Sequence, residues 1–505
     1  MQPITRLTTW LNKASPPVIS KFYVGQILAG NIIKFYPNQL AEIQLNGMKM
    51  TARLEIPAEA GVRHLFRVEQ TDRGHTHLKV LTQNTSSSKD HLFKELIQTV
   101  GLKETKESKA LATLVLKNQY PIDKQSFTEA VKWLSSHEEW AKGIDILKMA
   151  FNRQVPISTK ILDVLSSLQG EQSLIKLLET LRNQIKLVPK TNTLNQLHQQ
   201  LNELLDLEKN ELALNVMKNL KESVSNHPDA ASLLHKAGVQ DGSLRASVSS
   251  KELVSLKEWA ERYQANDKAL QTILSPSEQK ALSLAVKEAE SHLEWGDGNK
   301  MYTAMKAIFE SLGTDLEFNL SRLKQGCEIR LDTLKSLLLK VTNEGHPAVI
   351  QEHSEAILAR LSSLQVLSQE SGPTQHIFMQ IPLPFAFMKN DLTLQWEGRK
   401  MGDGKIDPDY CRILFYLDLQ NLNETIVDMN VQNKVVHLKI WTDDPIKLDI
   451  ATAPFVEGLK ENLKKEGYYF SALHIEPFID HHSKLKYSGL EENNSIRYTG
   501  MDFRI

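Results

Sequence analysis

The side chains that could do chemistry are few in this 505-residue chain, and they seldom stand together. His75-Thr76-His77 places two imidazoles on one side of an extended segment, a spacing from which paired histidines can bind a metal ion. Asp72 is the local carboxylate and no cysteine is near, so a surface turn accounts for the motif better. Asp403-Gly404-Lys405-Ile406-Asp407-Pro408-Asp409 has the carboxylates of a calcium loop without its ligand spacing or its terminal bidentate Glu, and reads as a solvated hairpin. Gly296-Asp297-Gly298 follows a helical pattern, whereas glycines that cradle a phosphate follow a strand. Cys327 and Cys411 are far apart and supply neither a disulfide framework nor a zinc site, and His481-His482 falls in a polar tail. There is no GxSxG elbow, HExxH or P-loop. These patterns assign no catalytic residue, metal ligand or cofactor, and point to a non-enzymatic protein.

The elements carrying these residues change character along the chain. Residues 22–83 alternate apolar and polar side chains in short runs separated by Gly25, Gly30, Pro37, Gly47, Gly61 and Gly74, which predicts five or six strands closing into a small barrel. Asn46-Gly47 is the strongest hairpin signal, because a type I′ turn needs positive φ at both central residues. Small barrels often bind oligonucleotides. Here Arg53, Arg63, Arg67 and Arg73 are offset by Glu42, Glu55, Glu59, Glu69 and Asp72, which favours an interaction module over a cytoplasmic nucleic-acid-binding accessory protein.

From about residue 90 to 370 the apolar period lengthens to about 3.6, the signature of helices. Proline-marked breaks divide this all-α region into 90–190, a more polar and less compact 191–312, and a helical hairpin at 313–370. In 314–343 a leucine stripe from Leu316 to Val341, including Leu323, Cys327 and Leu331, predicts one long helix whose seam packs on the next.

Residues 374–478 return to strands. Val427, Met429 and Val431 alternate with Asp428 and Asn430, Val436, Leu438 and Ile440 with His437 and Lys439, and Gln432-Asn433 makes the reversal between them. A helix begins near Thr452 or Ala453 before Pro454, carries Phe455, Leu459 and Leu463, and stops at Gly467. The fold class is multidomain α+β: a small N-terminal β-barrel, a large all-α middle region and a C-terminal two-layer domain with an antiparallel sheet. Residues 1–21 and 479–505 flank it.

The run LDLQNLNETIVDMNVQNKVVHLKIWT, the helix PFVEGLKENLKKEG and the strand YYFSALHIEP resemble the C-terminal domain of the flagellar hook-length control protein family. Phe415, Leu417 and Leu422 fall on the apolar positions of its Leu-x-Leu-x-Pro-x-x-Leu-Gly motif, and Asn423 stands where that family has glycine. The barrel is similar to the domain that opens long Gram-positive members. The resemblance implies that the domain engages the cytoplasmic domain of the export-gate switch protein of a type III secretion system and influences export substrate specificity. It places the partner surface around Leu422, Asn423, Phe455, Leu459 and Gly467.

With 18 prolines and long helical patterns, the rest of the chain differs from that family's flexible Pro/Gln/Ser-rich ruler. Sixty basic and 61 acidic side chains leave a net charge of -1, so no overall field draws the chain to polyanions. The absence of a signal-peptide core or a long apolar run suits a cytoplasmic protein with no membrane insertion, with export by a flagellar-type route still compatible.

Overall fold

The computed structural model describes residues 22–478, apart from 46–47, 56–59, 72–75, 82–88, 138, 171, 225–227, 240–249, 266, 269, 292–297, 322–331, 369, 372–373, 386–387, 389 and 403–404. Alternation closes the first sheet on itself. Strands β1 (Ile27–Tyr36), β2 (Leu40–Leu45), β3 (Met48–Leu54), β4 (Arg63–Thr71) and β5 (Thr76–Val80) form a closed barrel in the order β1-β2-β3-β5-β4. Leu28, Ile32, Ile43, Ala52, Phe66, Val68 and Leu78 fill its interior. Every pairing is antiparallel except β3 with β5. Asn46-Gly47 lies outside the described residues, but Leu45 pairs with Met48 on either side of it, as a two-residue hairpin requires.

The barrel's outer residues Ile27, Ala29 and Leu65 join the core of helices α1 (Lys89–Val100), α2 (Lys106–Asn118), α3 (Lys124–Ser136), α4 (Trp140–Asn152) and α5 (Thr159–Ser166). The starts of α2, α3 and α5 are set by Thr105, Asp123 and Ser158, whose side chains accept from the amides of Ser108, Ser126 and Ile161. A second core joins α6 (Leu174–Ile185) and α7 (Asn192–Leu205) to the later helices Gly298–Leu312, Leu334–Asn343 and Ala348–Leu367.

The polar segment expected to be less compact has a core of its own. Helices α8 (Leu207–Ser223), α9 (Pro228–Lys236), α10 (Ser250–Gln264), α11 (Leu270–Ile273) and α12 (Pro276–Ser291) bury Val216, Leu220, Leu233, Leu256, Leu282 and Val286 together. Then follow α13 (Gly298–Leu312), α14 (Leu316–Ser321), α15 (Leu334–Asn343) and α16 (Ala348–Leu367). The leucine stripe of 314–343 is therefore not one helix: Thr333 is extended, with ψ 156, and starts α15 anew. Leu323, Cys327 and Leu331 lie outside the described residues. Gly345, at φ 70, turns the chain from α15 toward α16.

The last sheet has seven strands, β6 (Glu370–Ser371), β7 (Thr374–Ile381), β8 (Leu392–Lys400), β9 (Ile406–Leu419), β10 (Asn423–Gln432), β11 (Val435–Thr442) and β12 (Tyr469–Pro477), in the order β12-β11-β10-β9-β8-β7-β6. It is antiparallel except at its edge, where β12 runs parallel to β11. The reason is the connection: α17 (Pro445–Thr452), a 3-10 turn (Ala453–Phe455) and α18 (Val456–Lys465) make a crossover, which returns the chain in its original direction. Helix α17 starts well before the expected Thr452, with Asp444 as its cap and Pro445 in its first turn. The β10–β11 reversal is one residue later than expected. Gln432 still pairs with Val435, and Asn433 and Lys434, at φ 51 and 64, form the turn.

The two halves of this sheet have different surroundings. On β7–β9, Phe378 and Tyr416 join the first helical core, while Met379, Ile381, Leu392, Phe415 and Leu417 join the second. The β10–β12 half forms a two-layer unit with α17 and α18, in which Val431, Val436, Met429 and Leu438 pack with Leu463 and Tyr468.

Candidate docking surface

The expected surface residues do not form one patch. Asn423 takes φ 56 and pairs with Leu419 after a three-residue connection, so an asparagine serves the left-handed position where glycine is usual. Leu422 beside it is half-buried and Asn423 exposed. Gly467, at φ 81, ends α18: its amide donates to the Lys464 carbonyl and that of Tyr468 to the Leu463 carbonyl, a Schellman cap. This cap adjoins the opposite end of β10, because the Tyr469 amide donates to Lys434 in the β10–β11 turn. Ten extended residues place the two ends of β10 roughly 30 Å apart. Leu459 is half-buried on α18. Gly467 and Leu459 thus shape the domain, whereas Phe455, 74% exposed, is available at the surface.

Sequence reading missed two other exposed residues. Ile446 and Ile450, 73% and 72% exposed, are four residues apart on α17 and share a face, opposite the buried Leu448. The signal was present in the Asp444-Pro445 helix start followed by this spacing. Lys447 on the same helix donates from Nζ to the Asn421 carbonyl at 3.2 Å, tying α17 to the β9–β10 turn that carries Leu422 and Asn423. Ile446 and Ile450 make an apolar face on the helix held beside that turn, and Phe455 is exposed in the 3-10 turn that follows it. Large apolar side chains left this exposed in succession mark contact surfaces more often than isolated ones do.

The sheet face turned away from α18 carries several polar pairs. There Arg412 donates two hydrogen bonds to Asp428, at 2.8 and 2.7 Å, which holds its guanidinium pKa up. His437 and His474 approach to 5.0 Å between ring centroids, and Lys439 pairs with Glu476 at 2.8 Å. Cys411 is a buried free thiol whose pKa is pushed up by burial.

The motifs weighed for chemistry are scattered. His77 is half-buried on β5, Asp407 and Asp409 sit at the start of β9, and Gly298 opens α13. His75, Asp72, Asp403, Gly404, Gly296, Asp297 and His481-His482 lie outside the described residues. Among the described residues no three His, Cys, Asp or Glu side chains are grouped to hold a metal ion, and no helix is long and apolar enough to cross a membrane.

No family model matches the chain, and no solved structure matches it. The chain is similar to the uncharacterized protein YlqG of Bacillus subtilis (strain 168), with 23% identity over an alignment of 547 residues that covers 95% of this chain and 94% of that protein.

Proposed function

We propose that the protein is a non-enzymatic, cytoplasmic interaction protein whose C-terminal domain docks onto the cytoplasmic domain of an export-gate switch protein of the flagellar type and influences which substrates are exported. The observation that carries this reading is the exposed apolar face of Ile446 and Ile450 on α17, which Lys447 ties to the turn at Leu422 and Asn423. A partner can bury it without unfolding anything, and buried apolar anchors supply most of the energy in such contacts. The resemblance of the surrounding strands and helix to hook-length control domains supplies the identity of the partner.

The test uses the full chain, because β7–β9 belong to the helical cores and a fragment of residues 374–478 would expose them. Binding of the purified switch domain is measured by calorimetry with the native chain and with Ile446→Asp/Ile450→Asp. The reading expects binding by the native chain and its loss in the variant, with an unchanged melting temperature. A native chain that shows no heat of binding sinks it.

A further inference from the structure

The outer surface of the barrel raises a separate question, because three of its cations have no ion-pair partner among the described residues. Lateral pairing sets out one row across four strands: Tyr36 opposite Leu40, Leu40 opposite Arg53, and Arg53 opposite His77. Beside this row Lys79 stands directly opposite Arg67. Like charges placed opposite each other on neighbouring strands destabilise a sheet unless something anionic lies between them. Arg53, Arg67 and Lys79 make no ion pair among the described residues. Of the acids on this surface, Glu42 already accepts from Tyr36 at 3.1 Å and lies 3.9 Å from Lys49, while Glu55 and Glu69 flank the cations.

One aromatic side chain projects at the end of the same row. Tyr36 is 39% exposed, and Lys34 lies 5.3 Å from its ring centroid. The turn that follows holds Asn38 and Gln39 at φ 63 and 61, and the Gln39 carbonyl accepts from the Leu54 amide at 2.9 Å, which ties the turn to β3. The strand order β1-β2-β3-β5-β4, with β3 parallel to β5, is the order of barrels that grip oligonucleotides across strands 2 and 3. Cations tracking a backbone beside rings that stack on bases are the equipment of sequence-tolerant single-strand binding.

We propose that the outer face of β1–β2–β3–β5, continued onto β4, binds single-stranded nucleic acid. Phosphates lie on Arg53, Lys79 and Arg67, and a base stacks on Tyr36. This site is independent of the docking face on α17.

The test is fluorescence anisotropy of a labelled mixed-sequence single strand of about 16 nucleotides, the upper span of one such barrel, titrated with the full chain over a range of salt. Three phosphate contacts predict a slope of about -2 in log affinity against log salt. Arg53→Glu/Lys79→Glu is expected to weaken binding by about tenfold or more and to flatten the slope. Tyr36→Ala is expected to weaken binding while leaving the slope alone. Melting curves of each variant establish that the barrel is intact. No binding at low salt, or unchanged affinity in the double variant, overturns the proposal. Equal binding of a duplex or of phosphatidylserine vesicles also overturns it, because it assigns the cations to a general anionic surface.

Discussion

The Asp391 carboxylate accepts the backbone amide of Leu174 at 2.5 Å, joining a loop of the C-terminal sheet to the start of a helix 217 residues earlier in the chain. The Ile175 amide donates to the other oxygen at 2.8 Å. Two amides and the positive end of α6 favour the ionised form, as does the charge of Arg360, but complete burial outweighs them and pushes the Asp391 pKa up to about 6. A carboxyl group whose pKa is higher folded than unfolded holds its proton more tightly when folded. Stability should therefore fall as pH rises from about 4 to 6 and level off above. The two-unit shift corresponds to an order of 3 kcal/mol. Asp391→Asn cannot ionise, so the native chain should lose stability relative to this variant across that window. Urea melts of both at pH 4.5 and 7 check it, and a constant difference refutes it.

Arg360 makes the second tie between body and sheet. Buried in α16, it donates from Nε to Gln380 Oε1 at 2.9 Å and from Nη1 to the Ser167 carbonyl at 2.7 Å. Arg360→Ala should cost about 3 kcal/mol or more, since it leaves two acceptors unpaired and opens a cavity. Arg360→Met refills the space without the donors. If hydrogen bonding dominates, its melting temperature stays near that of the alanine variant.

Two glycines separate strain from collision. Gly313 and Gly345 have nearly equal φ of 71 and 70, but a Cβ at Gly313 would lie 2.2 Å from Thr333 Oγ1, whereas none would meet anything at Gly345. Gly345→Ala should cost about 1 kcal/mol, the strain of a left-handed residue. Gly313→Ala should cost about 2–4 kcal/mol, with overpacking added. Similar thermal shifts in the two variants would contradict this geometry.

The β10–β11 turn can be improved. Lys434 occupies the second left-handed position of a type I′ turn, where glycine is preferred, and its side chain is only 3.9 Å from Asp409 at the surface. Lys434→Gly should raise stability by about 0.5–1 kcal/mol, because the strain relieved exceeds what an exposed ion pair supplies. Calorimetry of the melting transition reads the sign directly.

These positions also explain which features were legible in the sequence. The barrel strands declare themselves because inward residues such as Ile43 and Leu78 alternate with polar ones, and Asn423 is readable because few residues other than glycine take positive φ. Helix α17 was hidden by its own composition: Ile446, Leu448 and Ile450 alternate with Lys447 and Asp449, which imitates a strand, and only Asp444-Pro445 marks the helix start. That concealed the two exposed isoleucines of the docking face. The break at Thr333 was masked by a leucine stripe that keeps its spacing across it. The union of the sheet with the helical body was illegible for another reason, since it depends on partners such as Asp391 and Leu174 whose distance in sequence leaves no local pattern.

That distance has a consequence for a ribosome-borne chain. Helices α5 and α6 emerge long before the residues that complete their surroundings, with Arg360 trailing Ser167 by 193 positions and Asp391 trailing Leu174 by 217. At about 5–20 residues per second, the leucine-lined ends of these helices wait on the order of tens of seconds for their closing strands. During synthesis the body of the protein is an open vessel, and the part of the chain made last is its lid.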